Sequence, residues 1–204
     1  ANDGTVNGNS TNSSTITVRN TAPVVSGVAV TPSSPYTNQG LSCAHTYFDA
    51  DGDANRSTYV WTVSSTQAGA GSVVGGDSST LASSSFTRDQ WVTCTVTAND
   101  GITNGNSDSD QVKILNSAPA VSNASINPTS ATASTSSLEC EYTYTDLDTD
   151  VSRSTVTWYK NSSNVGTGAT YSGPFVGGDT IYCSVQANDG TVNGNSTNSS
   201  TITV

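Results

Sequence analysis

The sequence predicts an all-β protein built from two homologous modules, on three observations. Val, Ile, Tyr, Trp and Thr recur in short alternating stretches between clusters of Gly, Asn and Asp, the pattern of strands separated by turns. No stretch of ten or more residues shows the apolar spacing of a helix. The chain also matches itself, at two levels.

The first match is literal. Residues Ala1 to Val18, ANDGTVNGNSTNSSTITV, stand again as Ala187 to Val204, so the 204 residues read as one period of 186 plus an overlap. This predicts a window on a repetitive polymer. Residues 1–18 then supply a turn and a last strand to the preceding repeat, and on their own would leave Ile16 and Val18 unpaired.

The second match divides the period. NTAPVVSGVAVTPSSP from Asn20 faces NSAPAVSNASINPTSA from Asn116; Leu41 to Trp61 face Leu138 to Trp158; and CTVTANDGITNGNS from Cys94 faces CSVQANDGTVNGNS from Cys183. Modules are expected over 19–115 and 116–204. In the first, Leu41, Cys43, His45 and Tyr47 alternate with Ser42, Ala44 and Thr46, which puts the former four on one strand face. Leu138, Cys140, Tyr142 and Tyr144 do the same in the second.

Each module has a Cys, a Trp eighteen residues later and a second Cys: Cys43, Trp61, Cys94 and Cys140, Trp158, Cys183. This order resembles an immunoglobulin-like sandwich, in which the tryptophan packs on a bridge between the two sheets. A Pro-x-Val start, a Leu-x-Cys strand, an Asp-rich loop and a C-x-V-x-x-x-D-G stretch extend the likeness. They resemble the tandem immunoglobulin-like repeats, cadherin- and PKD-like, of large bacterial or archaeal surface and filament proteins. The resemblance implies two tandem immunoglobulin-like β-sandwiches with disulfides Cys43–Cys94 and Cys140–Cys183. Bridges closing loops of this length contribute on the order of 4 kcal/mol each, comparable to the net stability of a small domain.

Composition narrows the function. Sixteen acidic against six basic side chains give a net charge of -10, which repels phosphate backbones and argues against nucleic-acid binding. No apolar run is long enough for a membrane span. Four cysteines in a chain poor in other reactive groups point to an oxidising, extracellular or cell-surface setting. No phosphate-binding loop, His/Cys metal spacing or nucleophile turn appears. The single histidine, His45, reads as a packed strand residue, and the chain is expected not to be an enzyme.

The chemistry that stands out is Asp49-Ala-Asp51-Gly-Asp53, matched by Asp146-Leu-Asp148-Thr-Asp150. Three carboxylates at alternate positions repel one another unless a cation or hydrogen-bond donors compensate, and hard oxygen ligands suit Ca2+. The loop is not an EF-hand, because its twelfth position is Val60 or Thr157 rather than Glu. On the immunoglobulin-like plan this loop meets the turn holding Asp100, or Asp189, at the end where the chain enters each module. A calcium there would brace the junction as it does between cadherin modules, close to Arg19 and Asn20 or Leu115 and Asn116. The alternative is a pair of solvated turns, since Asp, Asn and Gly are ordinary turn formers.

Glycosylation sequons fall at Asn9, Asn12, Asn55, Asn123, Asn161, Asn195 and Asn198, and the Ser- and Thr-rich surface offers O-linked sites besides. Trp91 turns to the face opposite Cys94 and is a candidate sugar-stacking surface. The expected function is a structural repeat of an extracellular filament or stalk, glycan-coated, continued covalently or by self-association through strand donation. The alternative is an adhesin module binding glycan or protein, in which one module would depart from the other around exposed aromatics.

Overall fold

In the computed structural model, which describes residues 2, 4–67 and 69–204, the chain forms two β-sandwiches. The first holds β1 (Val24–Thr31), β2 (Leu41–Phe48), β3 (Thr58–Ser64), β4 (Ser72–Val74), β5 (Thr80–Leu81), β6 (Trp91–Asn99) and β7 (Asn104–Lys113). The second holds β8 (Ala120–Asn127), β9 (Leu138–Thr145), β10 (Thr155–Lys160), β11 (Ser163–Thr167), β12 (Thr170–Tyr171), β13 (Thr180–Asn188), β14 (Asn193–Asn198) and β15 (Ile202–Thr203). The sheet orders are β1-β2-β5 against β4-β3-β6-β7, and β8-β9-β12 against β11-β10-β13-β14, with β15 also on β13. One 3-10 turn at Ser83–Ser85 is the only helical piece among the described residues. No helix there is long and apolar enough to cross a membrane.

Period-two burial drives this arrangement. On β6 the buried residues are Val92, Cys94, Val96 and Ala98; on β13 they are Ile181, Cys183, Val185 and Ala187. These rows face the opposite sheet, where Leu41 and Leu138 are buried. Disulfides Cys43–Cys94 and Cys140–Cys183 join the sheets across the core. Trp61 and Trp158 are fully buried, and each indole N–H donates to a backbone carbonyl, of Ser78 or Gly168, at 2.9 Å. Burying such a ring without satisfying that donor would forfeit much of the gain. The His45 strand thins out toward its loop. Leu41 and Cys43 are buried, but His45 and Tyr47 are only half-buried, His45 lying edge-on to Tyr59.

The two sheets are also stitched by side chains. The Asn106 amide accepts from Val25 N (2.8 Å) and donates to Val25 O (2.9 Å), and Asn195 makes the same pair of bonds with Val121. Asp110 accepts from Val30 N at 2.7 Å. Glycine precedes each asparagine because the strand arriving from the linker passes almost on top of it. The Pro23 carbonyl covers Gly105, and the Pro119 carbonyl covers Gly194.

Residues 187–204 and their copy at the start of the chain fold differently. In both, an asparagine pair closes the turn, Asn188 to Asn193 at 2.7 Å and Asn2 to Asn7 at 2.6 Å. Gly190 and Gly4 have nearly equal φ, +95° and +96°. Beyond the turn, the later copy runs along β13 as β14 and β15. Residues 8–18 form no strand here, and Ile16 and Val18 are 89% and 84% exposed.

Candidate metal centre at the head of each module

The Asp-rich loop coils because its first carboxylate is its organiser. Asp49 Oδ1 accepts from the backbone N–H of Asp51 (2.8 Å) and Asp53 (3.1 Å). Asp146 Oδ1 does the same for Asp148 (2.7 Å) and Asp150 (3.2 Å). This is the side-chain-to-backbone turn that Asp favours. It leaves the second oxygen, Asp49 Oδ2 or Asp146 Oδ2, buried with no hydrogen-bond partner.

Oxygens of Asp49, Asp51 and Asp53 lie within 4.8 Å of one another, as do those of Asp146, Asp150 and Asp189. Three of the four candidates therefore converge in each module. Asp100 and Asp148 stand outside these trios, with their oxygens taken up by N–H and O–H donors. Asp100 accepts from Asn20 Nδ2 (2.7 Å), Ile102 N (2.7 Å) and Thr103 N (2.6 Å). Asp148 accepts from Ser117 N at 2.6 Å and from the Thr37 hydroxyl, matching the bond from Thr21 N to Asp51 at 2.6 Å.

Both heads meet the incoming linker. Asn20 binds Asp100, and Asn116 binds Asp189 at 2.8 Å; Arg19 takes no part in these bonds, while Leu115 N donates to Pro35 O at 2.8 Å. The hydrogen bond from Asn20, with those from the turn backbone, holds the Asp100 carboxyl below the usual range. Burial alone would raise Asp189, yet the bonds from Asn116, Val192 and Thr191 outweigh it and leave it lowered. Burial and then Asp49, Asp100 and Asp53 push the Tyr47 hydroxyl up. Tyr144 is raised by burial and then by Asp146, Asp189 and Asp150. Each tyrosine senses both acidic loops, so the loops share one negative field.

The heads differ in what balances that field. In the second module, Arg88 reaches up from the first and donates to Asp150 and, at 2.6 Å, to Asn116 Oδ1. Its guanidinium is raised by the bond to Asp150, against burial. Among the described residues, no basic side chain forms an ion pair with Asp49, Asp51 or Asp53. Counting back from the second cysteine of each module, Arg88 corresponds to Gly177.

The sequons divide by use. The amides of Asn195 and Asn161 are bound at both ends, Asn195 as above and Asn161 to Thr180 N and Asp179, each at 2.9 Å. The Asn55 amide is likewise engaged, at His45 and Ser57 N, and Asn123 donates to Thr143 at 3.4 Å. All seven sequon asparagines, Asn9, Asn12 and Asn198 included, lie at exposed positions. Trp91 is half-buried on the side of β6 away from Cys94. The stitching residues Gly105, Asn106 and Gly194 and the clasp residues Thr37 and Arg88 have no counterpart among the expected site residues, and Asn195, expected as a glycan site, is a stitch instead. The triple recurrence of N-G-N-S was the available sign of the stitch.

No family model and no curated protein matches the chain. Among solved structures it is similar to one described as "Biofilm associated protein - BSP domain", at 19% identity and a TM-score of 0.26. The match covers 88% of this chain and 29% of that one.

Proposed function

We propose that the chain is a structural repeat of an extracellular surface fibre or stalk, made of immunoglobulin-like modules joined head to base every 186 residues, with Ca2+ at the head of the first module. The observation that carries this reading is the segment present twice. As residues 187–204 it is packed on β13, and in its first copy Asn2 and Asn7 pair as Asn188 and Asn193 do while residues 8–18 form no strand. A preceding module of the same kind offers what residues 8–18 lack. Two disulfides support an extracellular setting.

The calcium assignment rests on the trio around Asp49 and its orphaned buried oxygen, since an unpaired carboxylate oxygen is costly to bury. The second head has the same orphan at Asp146 Oδ2, but there Arg88 pairs with Asp150, so the first trio is the one with no positive partner. Calorimetric titration with Ca2+ tests this: about one equivalent is expected, with a higher thermal midpoint than in chelator, and Arg88→Ala is expected to add a second equivalent. An unchanged midpoint and no binding heat would remove calcium. Small-angle scattering of one and two 186-residue periods tests the fibre, which requires the maximum dimension to grow in step with length. A second reading, an adhesin, is favoured by one difference between the modules: the stacked Tyr159 and Tyr182 of the second stand where the first has Thr62 and Thr93.

A further inference from the structure

Tyr159 on β10 and Tyr182 on β13 stand directly opposite one another. Their rings stack with centroids 4.8 Å apart and planes 7° from parallel. They lie on the outer side of the sheet, since Trp158 and Cys183 next to them fill the core. In the first module the corresponding facing pair is Thr62 and Thr93, and the sheet there has the same order. The fold therefore does not require aromatic residues at this pair.

The strand positions around them on that side are uncharged, and the nearest charges, Lys160 and Asp179 at the end of the face, are paired with each other at 3.2 Å. Thr157, Asn164, Ser184 and Asn198 surround the tyrosines by register, in a chain whose net charge is -10. Such a face leaves no unpaired charge for an anionic or cationic ligand. It does offer aromatic surface, whose negative π-cloud attracts weakly positive C–H groups, ringed by amides and hydroxyls that donate and accept. Each ring has one side on its neighbour, and both rings are half-buried, so the part that stays exposed is the surface a ligand can meet.

We propose that this face of the second module binds a neutral polysaccharide chain, the sugar C–H groups resting on Tyr159 and Tyr182 and the sugar hydroxyls meeting the surrounding amides and hydroxyls. An open sheet face suits an extended chain better than an isolated monosaccharide, which needs a concave site to bury most of its surface. This inference is independent of the fibre and of calcium.

The test is native electrophoresis through gels containing mannan, hydroxyethylcellulose, dextran or, as the anionic control, alginate. The protein is produced without glycosylation, so that no sugar at Asn198 covers the face. Retardation by at least one neutral polymer and none by alginate is expected. Tyr159→Thr with Tyr182→Thr, which installs the pair the first module carries, is expected to weaken retardation at least tenfold with the thermal midpoint little changed. Thr62→Tyr with Thr93→Tyr is expected to strengthen it. The proposal is overturned if no neutral polymer retards the protein, if alginate retards it equally, or if the Tyr-to-Thr variant migrates like the parent. It is also overturned if that variant alters only self-association in sedimentation velocity, which would make the face a protein contact.

Discussion

A Cβ on Gly105 would lie 1.7 Å from the Pro23 carbonyl oxygen, and one on Gly194 would lie 1.6 Å from that of Pro119. In both cases the obstacle is backbone, which cannot swing aside like the end of a long side chain. Gly105→Ala or Gly194→Ala should therefore displace the first strand of its module, breaking the neighbouring Asn106 or Asn195 bonds as well. A loss of at least about 2 kcal/mol is expected by chemical denaturation, against near-neutrality for Gly76→Ala, where a Cβ meets nothing within 4 Å. At this scale the sequence was partly legible. Alternating aspartates announced a convergence of charge, and the structure brings Asp49, Asp51 and Asp53 together. That Asp100 would be claimed by Asn20 and its own turn backbone depends on where the linker runs, which spacing does not encode. Arg88 escaped for the same reason: its partner Asp150 lies 62 residues away, in the other module.

The strands were the most readable elements, because burial on alternate positions is a local property that survives any tertiary context. β2, β6, β9 and β13 all follow it. The eighteen residues present twice mark where that legibility stops. Their turn forms in both places, fixed by a short asparagine bond and a glycine with positive φ. Their strand forms only beside β13, because strand pairing needs a partner that the segment does not contain. Cysteine pairing was legible only through the resemblance of the Cys–Trp–Cys order to an immunoglobulin-like sandwich, and it carries a prediction. Removing either bridge as Cys43→Ala with Cys94→Ala, or Cys140→Ala with Cys183→Ala, should cost about 2–5 kcal/mol. The loss should be confined to the module altered, seen as one of two calorimetric transitions moving down.

Across the whole molecule, charge sets the working range. Asp89, Asp100, Asp179 and Asp189 are all held below the ordinary carboxylate range, by Lys113, by Asn20, by Asn161 and, for Asp189, by bonds that outweigh its burial. Their folded forms resist protonation, so their stabilising contribution is complete above about pH 4 and disappears as pH falls through the lowered values. Tyr47 and Tyr144 are raised, by burial first, so stability should also decline as pH climbs past about 10. Thermal midpoints are expected to be level between about pH 5 and pH 8 and to drop at both extremes; a midpoint rising below pH 4 would contradict these assignments. The disulfides bear on a different property, the response to pulling. Each bridge short-circuits the chain between its cysteines, 51 residues apart in the first module and 43 in the second. A stretching force would be carried through the sulfur atoms, leaving about 170 Å and 145 Å of contour unavailable for extension. Only the strands outside each bridge, with their glycine-and-asparagine stitches, are left to peel away under load.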